Sequence, residues 1–570
     1  MNISQLSTTF LNTTNKKIYK WAMWLILLIG SLFKLGLVSG QHLQYNSSAM
    51  EDDRLFINLA NNILHGQWLG SYNSLTLIKG PFYPIYLALI HLIHTPLLLS
   101  EQILYIIACL VFLVSIYPFI CLYPIVKKSN KLKYIIATLL GLALIFNPIS
   151  SDTMPAARVI RNGIYPALTL LTVSLFIALV AYRKSKLWKY IFISIAAGLV
   201  LSSFWLTRED GIWIIPFCVS LIMYLFGLTI WQRAKTPYWK WRLAILLLPF
   251  IILWLSVFTI SSINYHYYRV NNVVEVQSPQ FLDAYSSLTR VETGNWVPVI
   301  PVSKSSREAI YKISPAFSQL KPYLEGNIGE AWTNISASVY PQYPGEIAGG
   351  WFLWAFRYSV EAAGYYKNGH TAMNYYQQLA NQVNGACNQG KLTCTKSTDN
   401  MYPPLNSRYI HPFISTMGHA FNFISGFQQY NPSPPNIIGD PSSFKLFSII
   451  TNEPISNYNN QRKIDYLVGI GKIYQLTFPV LTYLSILIYL ILLFVKKVYA
   501  NSLFIILGLV VMVIVVRMIL LSLVTATSFP GINTLYFACI YPLLIIFDFM
   551  TLFTFLDLCI NKISDKTKLV

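Results

Sequence analysis

The chain has 570 residues, of which 55% are hydrophobic, 15% aromatic and only 11% charged. Soluble chains carry about 25% charged residues, so this composition excludes a cytosolic enzyme, a disordered chain and a secreted disulfide scaffold. The formal charge of +20 suits either a nucleic-acid partner or the topology signal of a membrane protein, and the placement of the charges decides between them.

Apolar runs near the spanning length of roughly 17–25 residues fall at 21–40, 101–126, 134–150, 164–182, 190–206, 212–231, 243–262, 476–495, 502–524 and 535–556. Basic clusters sit on every second side of these runs, at Lys16/Lys17/Lys20, Lys127/Lys128/Lys131/Lys133, Arg183/Lys184/Lys186/Lys189, Arg233/Lys235/Lys240/Arg242, Lys496/Lys497 and Lys562/Lys566/Lys568. The positive-inside rule then places both termini in the cytoplasm and the 263–475 loop outside, and a bacterial inner membrane is the expected location. Most of the positive excess is spent on that topology signal. It is scattered over short loops with no folded basic domain, so no nucleic-acid partner is expected. The first run follows lysines and lacks a small-residue cleavage site, which reads as a signal anchor.

The expected fold is an all-α polytopic membrane protein with about ten transmembrane helices, interfacial helices in the first external loop and a mainly α-helical external domain. Its parts are a seven-span block over 1–262 that includes the first external loop (41–100), an external, periplasmic domain over 263–475, and a three-span block over 476–570. No repeat of solenoid length is visible.

In chain order, the first external loop opens on Glu51-Asp52-Asp53. Adjacent carboxylates repel one another and tend to raise one pKa, which suits a general base or a cation site, although a solvated acidic loop looks the same in sequence. Arg54–His65 carries Leu55, Leu59 and Ile63 on one side, and 81–99 is apolar but interrupted by Pro84 and Pro96. Counting 81–99 as a span would invert every later loop, so both segments are expected to lie along the outer membrane surface.

Arg158 and Arg161, three residues apart and thus on one helical face, precede Asn162-Gly163, where guanidinium groups suit either phosphate recognition or lipid headgroups. Thr207-Arg208-Glu209-Asp210-Gly211 closes the fifth run, where burial requires that its charges pair or line a site. Lys34 and Arg517 lie inside runs, as functional cations or as snorkelling ones.

In the external domain, helical periodicity is expected over 347–366 and 371–384, with ordered loops at 340–344 and 431–435. Trp351, Trp354, Arg357, Glu361, Tyr365, Tyr366 and His370 offer a carbohydrate-facing surface, but aromatics at helical spacing are more often core, and Arg357 and Glu361 have the spacing of an ordinary helix pair. Cys387 and Cys394 flank a polar turn and can close a disulfide in an oxidising compartment. His411 and His419 have no metal-ligand spacing.

The acidic pair after the first run, a helix ending in His65-Gly66-Gln67-Trp68, and Lys79-Gly80-Pro81-Phe82-Tyr83 together resemble the GT-C class of integral membrane glycosyltransferases. The nearest likeness is to the aminoarabinose lipid A transferases and protein O-mannosyltransferases. The motif-level match covers about residues 20–100. Gly80 stands where many relatives have a second proline. The resemblance implies transfer of a sugar from a polyprenyl-phosphate donor to a glycolipid, polysaccharide or protein acceptor at the outer membrane face. It implies Asp52 as base with Asp53 beside it, and Lys79 on the donor phosphate; Arg158, Arg161 or Arg208 are expected, from their own chemistry, to join Lys79 in stabilising the departing phosphate. Glu51, Glu209, Asp210 and Tyr83 are expected to support the site. Membrane lipids and the lipid-linked sugar are the expected partners. No cofactor is required by the sequence, and a divalent metal is left open. An envelope polysaccharide polymerase or ligase is the alternative enzyme, and a transporter the alternative outside enzymes.

Overall fold

The computed structural model describes residues 3–294, 296–398, 400–401, 407–495 and 502–566. Of the basic clusters, Lys496, Lys497 and Lys568 lie outside these residues, and the side chains of Lys16, Lys128, Lys562 and Lys566 lie outside the described ones. Among the described residues the chain is helical, with isolated β-bridges in place of strands.

Among the described residues eight helices are long and apolar enough to cross a membrane: Lys17–Val38, Leu97–Ile120, Leu187–Thr207, Gly211–Trp231, Trp239–Tyr268, Gln461–Leu492, Ser502–Thr527 and Tyr541–Ile560. They define an integral membrane protein. The third and fourth predicted spans fall short, because their helices, Asn130–Ile145 and Tyr165–Ala181, have 16 and 17 residues. At about 1.5 Å per residue, 17 residues reach roughly 25 Å of a ~30 Å hydrocarbon core. The first of these ends early because Asn147-Pro148 opens a 3-10 turn, where the residue before proline is driven out of the helical region. Tyr165–Ala181 is almost wholly enclosed and packs between Leu97–Ile120 and Leu187–Thr207.

The apolar stretch 81–99 divides into the 11-residue helix Phe82–Leu92 and the start of Leu97–Ile120. Pro84 does not break the first of these, because it sits in the opening turn where a helix has no use for the missing N–H. Asp53–Leu64 is amphipathic: Phe56, Ile57 and Ala60 enter the main helical core, while Leu55 and Leu59 enter a second core.

That second core is built by the helices Pro279–Thr289, Gly349–Ala362 and Gly369–Asn388 of the long inter-span segment, with Phe281, Tyr285, Phe356 and Tyr376 at its centre. The first inter-span loop therefore shares its core with the long 263–475 segment. The helices Ile410–Ser425 and Pro441–Thr451 instead contribute Phe423, Ile424, Phe447 and Ile450 to the main core. The following helix begins at Gln461, well before the apolar run that starts at 476, and carries Pro479 inside it.

Cys387 and Cys394 form a disulfide with Cα atoms 5.6 Å apart, closing the turn after Gly369–Asn388. Closing so short a loop restricts the unfolded chain by about 2.5 kcal/mol in the chain-entropy account. Cys394→Ser is therefore expected to lower the melting temperature of the detergent-solubilised protein, and reductant is expected to lower it equally in the native sequence. A native melting temperature indifferent to reductant would contradict this.

Candidate functional site

The segment after the first span is pinned in extended form. Gln44 N donates to Ala157 O (2.8 Å), Ser47 N to Ile438 O (3.1 Å) and Ile438 N to Tyr45 O (3.0 Å), forming parallel bridges from Gln44 to Arg158 and from Asn46 to Ile438. This register lays the acidic triplet beside the 157–161 loop. Asp53, fully buried, accepts from both Arg158 Nε (2.9 Å) and Nη2 (2.6 Å). Burial pushes the Asp53 carboxyl above its usual range, against the pull of Arg158.

Asp52 is 37% exposed at its side chain and pairs with Lys79, which is 7% exposed; Arg158 Nη2 lies 3.8 Å from its other oxygen. Burial works to raise this carboxyl, but Lys79 and Arg158 outweigh it and hold the pKa at about 2. The pair is accordingly present above the ordinary Asp value of 3.8 and is lost as pH falls through about 2.

Lys79 is held where it is by its neighbour. A Cβ on Gly80 would overlap the Leu206 carbonyl oxygen at the end of Leu187–Thr207, so this segment lies flat against the helix terminus that carries Arg208. Gly80→Ala is expected to cost about 1–3 kcal/mol through overpacking and to displace Lys79. A melting curve and activity like the native protein's would show the contact to be slack.

The remaining cations complete the cluster. Arg161 pairs with Glu209, with Nη2 2.7 Å from Oε1. Arg208 forks onto Asp210 (2.8 and 3.1 Å) and donates to Asn162 Oδ1 (3.1 Å). Its guanidinium lies 5.4 Å from the ring centres of both Tyr165 and Tyr536. Arg517, fully buried, also binds Asp210 (2.7 Å) and the Tyr536 carbonyl (3.0 Å). Burial pushes Asp210 up, but Arg208 and Arg517 outweigh it and hold the group well below the usual carboxylate range. Arg161 is within electrostatic reach of both Asp52 and Lys79, and Tyr536 of Asp52, Arg161, Arg208 and Asp210, so these groups form one cluster.

The 263–475 segment supplies aromatic neighbours to the cluster. Trp354 is half-buried with its ring centre 6.0 Å from Lys79 Nζ, and Phe56 lies 5.1 Å from the same atom. Tyr358 donates to Glu51 Oε1 (2.7 Å) and stacks on Trp332. Tyr83 is buried edge-on to Phe56, and its hydroxyl donates to Glu101 (3.3 Å), so it supports the cluster from behind Phe56 without joining its charges.

Several readings from sequence change. Arg158 and Arg161 do not share a helical face: their backbone is a looped segment, and they reach different carboxylates. Arg357 does not pair with Glu361. It binds Glu275 (2.7 Å), and Glu361 accepts from the Ser74 hydroxyl (2.5 Å). Arg517 does not snorkel but joins the cluster. Lys34 is buried beside Cys109. Tyr536 and Asn162 were invisible as site residues, because nothing in their sequence context marks them; for Arg517 the signal was its charge within an apolar run. Among the described residues no group of three His, Cys, Asp or Glu side chains is set to hold a metal ion.

Fold and site together define an all-α integral membrane protein in which helix ends and the first inter-span loop bring one cluster of paired charges together around Asp52 and Lys79. No family model and no curated protein sequence matches the chain. Solved structures with some likeness to it include crystal structures of ArnT from Cupriavidus metallidurans in the apo state and bound to undecaprenyl phosphate. They are 11% and 10% identical, each alignment covering 93% of this chain and 77% of the ArnT chain, with TM-scores of 0.28 and 0.31. Overlaps this low carry no argument about function, which falls to the charge geometry of the cluster.

Proposed function

We propose that the protein is a glycosyltransferase of the GT-C kind, moving a sugar from a polyprenyl-phosphate-linked donor to an envelope acceptor at the outer membrane face. The observation that carries this reading is Asp52, a partly open carboxylate set between Lys79 and Arg158 in a charge cluster that also holds Arg161, Arg208 and Arg517. A phosphate diester needs cations at the leaving oxygen, and an acceptor hydroxyl needs a base opposite them.

In the unliganded protein Asp52 is a weak base, because Lys79 and Arg158 hold its pKa at about 2. An incoming phosphate competes for both cations and so raises the proton affinity of Asp52 where the acceptor binds. The acceptor O–H then gives its proton to Asp52 as its oxygen bonds to the anomeric carbon. The bond from that carbon to phosphate breaks with its electron pair leaving on the phosphate oxygen, and configuration inverts. Lys79 and Arg158 face the departing charge, with Arg161 and Arg208 behind them. Asp53, enclosed and bidentate on Arg158, acts by positioning that guanidinium. Trp354 offers an aromatic face for the transferred sugar.

The pH profile tests the coupling. Between about pH 3 and pH 5, kcat/KM of the native protein is expected to show no limb from Asp52, since the free-enzyme base stays ionised down to its pKa of about 2. Lys79→Gln removes the main force lowering the Asp52 pKa, so its limb is expected to move upward. An acid limb in the native protein that Lys79→Gln leaves in place would overturn the coupling.

A further inference from the structure

The helix Asp53–Leu64 buries two of its faces and leaves a third. Arg54, Asn58, Asn61 and Asn62 recur at steps that place them on that third face. Across from it runs the 69–76 loop, folded back by a positive-φ turn at Gly70, where a Cβ would overlap the Asn62 amide. Asn73 fixes the loop by accepting from Leu75 N (2.8 Å) and Thr76 Oγ1 (3.0 Å), and Asn62 Nδ2 ties it to the helix through Leu69 O (3.2 Å).

Helix and loop border a half-open cavity of about 330 Å³, with Asn58 and Ser71 exposed and Arg54 and Asn61 half-buried along it, within the ~300–1,000 Å³ range of small-ligand sites. Among the described residues, the amides of Asn58 and Asn61, the Arg54 guanidinium and the Ser71 hydroxyl make no hydrogen bond with the protein, yet all line this space. Leu55, Leu59, Leu69 and Leu75 supply its apolar part. A primary amide offers two donors and a carbonyl acceptor, which matches the mixed donor and acceptor character of neighbouring sugar hydroxyls. No carboxylate among the described residues lines the cavity, and the exposed Asp440 lies within electrostatic reach of Arg54. The chemistry differs from that of the charge cluster, where guanidinium groups dominate.

We propose that this cavity binds an uncharged carbohydrate. Resting on the transferase reading, the ligand is a unit of the acceptor glycan. At 100° per residue the cavity face lies around the helix from Asp52, so a glycan crossing the helix N-terminus reaches both, with a distal unit among the asparagines and the reacting hydroxyl at Asp52.

The test is saturation-transfer NMR on the full chain in lipid nanodiscs, with lactose, maltose, mannobiose and chitobiose as probes and galacturonate as an anionic control. At least one neutral disaccharide is expected to receive saturation. Asn58→Leu combined with Asn61→Leu is expected to reduce that signal at least tenfold without moving the melting temperature, while Asp52→Asn leaves it intact. No signal from any of the four disaccharides, a signal only from galacturonate, or a signal that survives the double substitution would each overturn the proposal. Saccharide binding by a protein that transfers no sugar would leave the site standing and remove only its acceptor role.

Discussion

Asp52→Asn is expected to lower sugar transfer by ~100- to 10,000-fold, the usual contribution of a positioned general base. The amide keeps the shape of the carboxylate and can still accept from Lys79, so the cluster should stay assembled. What disappears is the group that takes the acceptor's proton. Asp52→Glu keeps a carboxylate in a displaced position and is expected to recover part of the activity. The measurement is mass spectrometry of envelope glycans in cells expressing each variant at matched levels, followed by transfer assays with a polyprenyl-phosphate sugar. Unchanged glycans with Asp52→Asn would falsify the catalytic assignment. Loss confined to substitutions of Arg158, Arg161 and Arg208 would favour the polymerase or ligase reading, in which phosphate recognition persists without this base.

Arg357→Ala is expected to produce the largest loss of stability in the molecule, about 3–5 kcal/mol, because it strands a buried carboxylate. Arg357 and Glu275 are both enclosed, and Glu275 also accepts from Tyr72 and Tyr366 (each 2.5 Å). The guanidinium further donates to the Ser74 carbonyl of the first inter-span loop (2.5 Å). Its removal therefore loosens the attachment of that loop to the 263–475 segment, and with it the spacing of Lys79 against Trp354. A steep fall in melting temperature in detergent should accompany reduced transfer. Glu275→Gln, which keeps the hydrogen bonds and removes the charge, should cost less than Arg357→Ala. A melting temperature within a degree of the native value for Arg357→Ala would show that the network is not what joins the two parts.

The acidic triplet, the lysine segment and the arginine turns were all legible as candidates because charge is rare in this chain and conspicuous beside apolar runs. Their partners were not legible. Asp52 and Asp53 are neighbours in sequence and differ in environment, one open toward Lys79 and the other sealed against Arg158, and the bridges at Gln44 and Asn46 with the packing of the helix that starts at Asp53 set that difference. Arg357 and Glu361 show the converse failure. Their four-residue spacing points to a local pair, but burial made each seek a partner from a distant segment, where an enclosed hydrogen bond is worth more than a solvated helix contact.

Helix boundaries failed where hydropathy and backbone chemistry disagree. The apolar run to 150 continues past Ile145 in composition, yet Pro148 ends the helix, and the run beginning at 476 conceals a helix that starts at Gln461 with polar residues. A window average cannot register either event, because one proline or one N-terminal cap decides them locally.

The sequence by itself determined the solvent and the architecture class. A bilayer permits spanning backbone only as helices or closed barrels, and long apolar runs bounded by lysines select helices. The tertiary structure alone decided which charges meet. Residues from 52 to 517 converge on one cluster through low-dielectric surroundings, where each charge must find an opposite one, and that requirement is satisfied across segments that no spacing rule connects.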